Sequence, residues 1–103
     1  MADAFSPEEM NTAIPLYVGW GLSPYPKEDA GRLLERFGND RGSILAVHAR
    51  DILQEMREIQ PGWERHSLVS GTHWAIEQVR ARYPFLSNEA DVALGWIFSF
   101  WWK

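Results

Sequence analysis

A chain of 103 residues, 46% hydrophobic and 23% charged, has the apolar content for one folded helical domain spanning 1–103 and is not a disordered polymer. It has no cysteine, which excludes disulfide staples, zinc–thiolate sites and thiol nucleophiles and fits a reducing cytoplasm. The formal charge of −4 falls within residues 1–31, where Asp3, Glu8, Glu9, Glu28 and Asp29 face Lys27 alone; this argues against phosphate-backbone binding and admits a basic partner.

The first structural signal is Phe5-Ser6-Pro7-Glu8-Glu9-Met10. Ser6 and Glu9 have the spacing of a capping box, Pro7 suits the first helical position, and Phe5 and Met10 occupy the hydrophobic-staple positions. A helix therefore starts at Pro7. Pro15 removes a backbone donor and disfavours helical geometry at Ile14, so this helix stops near Ala13 or continues kinked toward Val18. No basic segment followed by an apolar one opens the chain, so no signal peptide is expected. Residues 19–26 read as a turn-rich loop. Its Gly19 and Gly21 do not form a phosphate cradle, because Leu22-Ser23-Pro24 breaks the glycine pattern.

Residues 27–37 predict a short amphipathic helix with Ala30, Leu33, Leu34 and Phe37 on one face, a Glu28–Arg32 pair at i, i+4, and Gly38 beyond its end. Residues 39–43 supply a turn and several N-cap candidates. The next helix runs to about Ile59, before Pro61-Gly62, with Leu45, His48, Ala49, Ile52, Leu53, Met56 and Ile59 as its apolar stripe. Residues 60–66 form a loop carrying Trp63. A further helix spans about Ser67 to Tyr83, with Val69, Thr72, Ile76, Val79 and Tyr83 inward, and ends at Pro84.

The last helix starts after Ser87. Ala90, Leu94, Ile97, Phe98 and Trp101 share one face, Ala93, Phe100 and Trp102 flank it, and Val92 and Trp96 occupy the back. A helix apolar nearly all round is a buried one. Its apolar run is far short of the roughly 20 residues that span a bilayer, so no membrane is expected. No segment alternates with period two. The sequence thus specifies an all-α bundle of about five short helices with the apolar C-terminal helix at its centre.

Function is constrained mainly by exclusion. No His-x-x-His or His-Glu-x-x-His spacing points to a metal, no Gly-x-Ser-x-Gly elbow to a nucleophile, and no cofactor motif is present, so neither cofactor, metal nor enzymatic activity is expected. His48 lies on a core stripe. His73, Glu77 and Arg80 share a helix flank that reads as a solvated ion-pair face; a small enzyme using His73 and Glu77 as an acid–base pair is one alternative.

The six tryptophans are unusual, and several read as anchors. Trp63 adjoins Glu64-Arg65-His66, as an interface hot spot or a loop plug. Trp74 projects nearly opposite a face centred on Ile76, and Trp20 and Tyr25 sit in the first loop. With the acids, these define a candidate partner-binding set of Glu8, Glu9, Trp20, Tyr25, Glu28, Asp29, Trp63 and Trp74. The reading is a small acidic protein–protein interaction module, such as an immunity protein or antitoxin that neutralises a basic, nuclease-type partner. A second alternative is a self-associating structural or regulatory subunit, a homodimer burying Val92 and Trp96 of the C-terminal helix. A third is a helix-turn-helix DNA-binding regulator built from residues 27–37, an Asn39–Gly42 turn and the following helix. There Asp51, Glu55 and Glu58 interleave with Arg41, Arg50 and Arg57, which makes nucleic acid an unfavourable partner.

Overall fold

The computed structural model describes residues 6–62 and 64–102. Five helices form among them: α1 Pro7–Val18, α2 Ala30–Phe37, α3 Asn39–Glu58, α4 Leu68–Arg82 and α5 Asn88–Trp101. No strand occurs among the described residues, so the all-α bundle is the observed fold.

Both halves of the first capping box are present. The Ser6 hydroxyl accepts from the Glu9 amide at 3.1 Å, and the Glu9 carboxylate accepts from the Ser6 amide at 3.0 Å. Phe5, the outer half of the expected staple, lies outside the described residues. The helix passes through Pro15 and reaches Val18, because Tyr17 and Val18 are buried beyond the proline and their packing outweighs the lost donor. Gly19, at φ +86°, ends it by donating to Pro15 O and Leu16 O.

Glu9 also joins α1 to α3. Arg41 Nε donates to its carboxylate at 2.7 Å, and a second guanidinium nitrogen engages the other oxygen. The Arg41 hydrogen bonds, followed by the Ser6 amide, lower the Glu9 pKa from 4.5 to about 2. A carboxyl more acidic in the folded chain stabilises the fold above its unfolded pKa and ceases to do so as pH falls through the folded one. Wild-type melting temperature is therefore expected to drop between pH 4.5 and 2 more steeply than that of Glu9→Gln. Parallel thermal melts across that window check it; identical slopes would show that the pair contributes nothing.

The second helix starts three residues later than the sequence suggests. Asp29 caps it, accepting from the Gly31 amide at 2.9 Å, so Lys27 and Glu28 precede the helix and Glu28 has no i, i+4 relation to Arg32. Arg32 turns back instead and donates to Leu16 O at 3.2 Å and Lys27 O at 3.1 Å, placing a cation at the negative end of α1. Ala30 is exposed, and Leu33 is the one fully buried residue of α2.

Residues 39–42 are not a turn; they are the first turn of α3. Gly38 alone links the two helices, at φ +88° and ψ 168°, a backbone conformation open in practice only to glycine. This removes the three- to four-residue turn that a helix-turn-helix needs. The two helices meet backbone to backbone: a Cβ at Gly42 would lie 2.5 Å from Leu33 O. Along α3, Leu45, Ala49, Ile52, Leu53 and Met56 are buried, whereas His48 and Ile59 sit half-buried at the stripe's edge.

The inward face of α4 is Gly71, Ala75 and Val79, one position round from the face expected on Ile76. Val69 is 69% exposed, and Thr72, Ile76 and Tyr83 are half-buried. The reason is packing. The main neighbour of α4 is α5, with only thin contact to α3, and Thr72 and Ile76 lie against α5 at Gly95, at the rim and not at the centre of the buried face.

Helix α5 packs on α1 and α4 and touches α3. Ala90, Ala93, Leu94, Ile97 and Phe98 enter the core as expected. The expectation of burial all round fails, because Val92, Phe100 and Trp102 are exposed. Five short helices leave one side of α5 uncovered. The α4–α5 connection is fixed to α1 by Asn11, which donates to Phe85 O at 3.0 Å and accepts from the Ser87 amide at 2.8 Å.

Candidate functional site

The uncovered side of α5 and the adjacent flank of α4 form a groove. Its floor lies where the helices approach at Gly95; a Cβ there would stand 3.4 Å from the Thr72 methyl group and 3.7 Å from Ile76. Two adjoining clefts, each of about 420 Å³, share Thr72, His73, Val92 and Gly95. One extends past Ile76 toward Glu77, Arg80, Asn88 and Asp91, and it carries the polar and charged groups of the groove on a partly apolar wall. The other extends toward Trp20, Leu68, Val69, Trp96 and Ser99 and is apolar. Trp20 and Trp96 meet edge to face with centroids 5.2 Å apart, a favourable aromatic geometry that fixes the first loop against α5.

Asp91 is the unusual residue of the polar end. It is 4% exposed, and Arg80 directs two of its donors at the same oxygen, Nε to Oδ2 at 3.0 Å and Nη2 to Oδ2 at 2.6 Å. The other oxygen, Oδ1, is buried and has no hydrogen-bond partner among the described residues. Its place in the first turn of α5 favours the charge, yet an unsatisfied buried acceptor costs about 1–3 kcal/mol. Glu77 and His73 are exposed beside it, and neither forms a hydrogen bond or ion pair among the described residues.

The flank of His73, Glu77 and Arg80 thus borders a cleft rather than a flat solvated surface. The acid–base reading has this cleft in its favour. However, no hydrogen bond joins His73 to Glu77, and the Thr72 hydroxyl donates to Leu68 O at 2.7 Å within its own helix. Among the described residues no group of three or more His, Asp or Glu is placed to hold a metal ion, and no helix is long and apolar enough to cross a membrane.

The other residues singled out from the sequence are scattered. Glu9 is held by Arg41. Glu28 accepts from the Tyr17 hydroxyl at 3.2 Å and pairs with Arg57, and Asp29 caps α2 within 3.9 Å of Arg32. Burial, reinforced by Glu28, pushes the Tyr17 hydroxyl up to about 12, which keeps it a donor across the physiological range. Three of the five N-terminal acids therefore face arginines of this chain; Glu8 is exposed, and Asp3 lies outside the described residues. Tyr25 is 57% exposed on the first loop. Trp74 is 38% exposed, with its ring 6.3 Å from that of His66, and lines neither cleft. Trp63 is outside the described residues. Of Trp20, Tyr25 and Trp74, the expected anchors among the described residues, Trp20 alone reaches the groove.

Asp91, Asn88, Val92 and Gly95 carry the α5 side of the site without having been singled out as a group. The Arg80–Asp91 pair joins two helices eleven residues apart, and no local periodicity announces such a pair. No protein-family model matches the chain, and no curated protein or solved structure does so either.

Proposed function

We propose that this protein is a protein–protein interaction module and that it takes a segment of its partner in the α4–α5 groove. The observation that carries this reading is the groove itself. An apolar end edged by exposed Val69 and Val92 continues into a polar end with uncompensated acceptors, on a helix whose other side is the core. Apolar centres with polar margins are how interfaces gain both affinity and register. The pairing of Glu9, Glu28 and Asp29 inside the chain moves any attraction for a basic partner away from the N-terminal segment and toward the groove.

The test is affinity capture from the source cell with wild type and with a charge-neutral Val69→Gln/Val92→Gln double variant, whose two sites are exposed and leave the core intact. Wild type is expected to recover a stoichiometric partner that the double variant loses at unchanged melting temperature. Equal recovery by both, or none by wild type, rejects the groove as an interface. If the only partner is a second copy, light scattering will show a dimer that the double variant abolishes.

A further inference from the structure

We infer that the segment held in the groove presents a cationic side chain, lysine or arginine, to the polar end, next to an apolar side chain that rests against Trp20 and Trp96. The inference builds on the groove being the partner site and adds the chemistry of its occupant.

Three observations converge. First, the charges of the polar cleft do not cancel. Arg80 and Asp91 neutralise each other, Asn88 is neutral, His73 counts as neutral at pH 7, and the exposed Glu77 carboxylate is left without an ion-pair partner among the described residues. A cation entering here meets a net negative wall, and an anion would face two carboxylates. Second, Asp91 Oδ1 is an acceptor without a donor. Nε and Nη2 of Arg80 engage Oδ2 and no donor reaches Oδ1, which is closed to solvent; the Arg80 side chain is 55% exposed, so it can swing aside and admit a second donor. An N–H group reaching this corner relieves a desolvation cost that the free protein carries. Third, the two ends are continuous through Gly95, where the missing side chain leaves the floor open. A segment with a long basic side chain beside an apolar one matches that order of surfaces, and long aliphatic stems of lysine and arginine pack well on apolar walls.

The experiment uses a matched pair of probes, 4-phenylbutylamine and 5-phenylvalerate, which share a phenyl ring and chain and differ in charge. Each is titrated into the ¹⁵N-labelled full chain while the Trp96 indole N–H and the Gly95 and Asp91 amides are followed by NMR. The amine is expected to shift these signals and to bind about tenfold tighter than the carboxylate. Glu77→Gln, at an exposed position, is expected to weaken the amine about fivefold, the upper range for an exposed ion pair, and to leave the carboxylate no weaker, since one repelling charge is gone. Gly95→Ala is expected to remain folded and to weaken both probes, because the new methyl group meets Thr72 and Ile76 at ordinary contact distance and raises the floor.

Equal affinity for the two probes, shifts outside the groove, or an unaltered amine affinity in Glu77→Gln would overturn the assignment. Glu77→Gln used as bait in the capture experiment separates the sources of the cation. Reduced recovery of the partner supports a basic side chain. Unchanged recovery overturns it even if the free amine binds, because the cleft would then serve small amines. The double variant still decides the groove reading independently.

Discussion

Gly42→Ala is expected to lower the melting temperature by on the order of 10 °C or more, although it replaces glycine by the best helix former inside a helix. Helix propensity alone favours alanine by about 1 kcal/mol. The structure reverses the sign. The added Cβ would stand 2.5 Å from Leu33 O and 2.8 Å from Leu34 Cα, and neither atom belongs to a side chain that can rotate away. α2 and α3 must separate, and α2 has little else to hold it, since Leu33 is its one fully buried residue. Overpacking of this kind costs about 1–3 kcal/mol and more when backbone opposes it. Gly95→Ala is the control: it adds the same atom inside a helix but at 3.4 Å from a methyl group, and is expected to be neutral or stabilising by up to about 1 kcal/mol. Thermal melts by circular dichroism on the two variants should move apart. If both shift the same way, the close approach of α2 and α3 is not as described.

The residues that announced themselves in the sequence were those whose partners are local. Ser6 and Glu9 form the box their spacing implies, and Ser87 caps α5 by accepting from the Ala90 amide at 3.1 Å. The stripes of α3 and α5 enter the core because amphipathic period and burial agree over several turns. What escaped was set by contacts between elements. Nothing in residues 27–32 tells that Arg32 will cap α1 or that Glu28 will reach Arg57. The buried face of α4 is Gly71, Ala75 and Val79, one position round from Ile76, which lies instead against Gly95 of α5, a contact that spacing within α4 does not reveal. His73, Glu77 and Arg80 could be grouped by their spacing, but the cleft they border depends on Asp91, Asn88 and Gly95 from another helix. The acidity of residues 1–31 was legible as a number and misleading as a surface, since Glu9, Glu28 and Asp29 lie against arginines from later in the chain.

Phe98→Ala is expected to be the more damaging of two substitutions in the C-terminal helix, with Trp101→Ala the milder, and removal of residues 98–103 is expected to leave the chain unfolded. Sequence periodicity places Trp101 on the same apolar face as Leu94, Ile97 and Phe98, which implies full burial for both aromatic rings. The structure separates the two. Phe98 is fully buried and is the largest side chain to be so among the described residues; Trp101 is half-buried and lies under the Arg57 guanidinium at 4.7 Å. The rings of Phe98 and Trp101 meet at 63° with centroids 6.3 Å apart, so the tryptophan covers the phenylalanine that fills the core. Truncating a buried phenylalanine to alanine costs about 3–5 kcal/mol. Trp101→Ala loses part of its apolar burial and a cation–π contact worth about 0.5–1 kcal/mol at an exposed site. Arg57 is also held by Glu28, which in turn accepts from Tyr17, so the guanidinium stays in place when the ring is removed. Domains of this size have about 5–15 kcal/mol in total, which places Phe98→Ala near the limit of folding and the deletion beyond it. Melts of the two point variants and the far-ultraviolet spectrum of the truncated chain check the order. A Trp101→Ala protein that melts below Phe98→Ala would mean that the end of α5, not its middle, holds the bundle together.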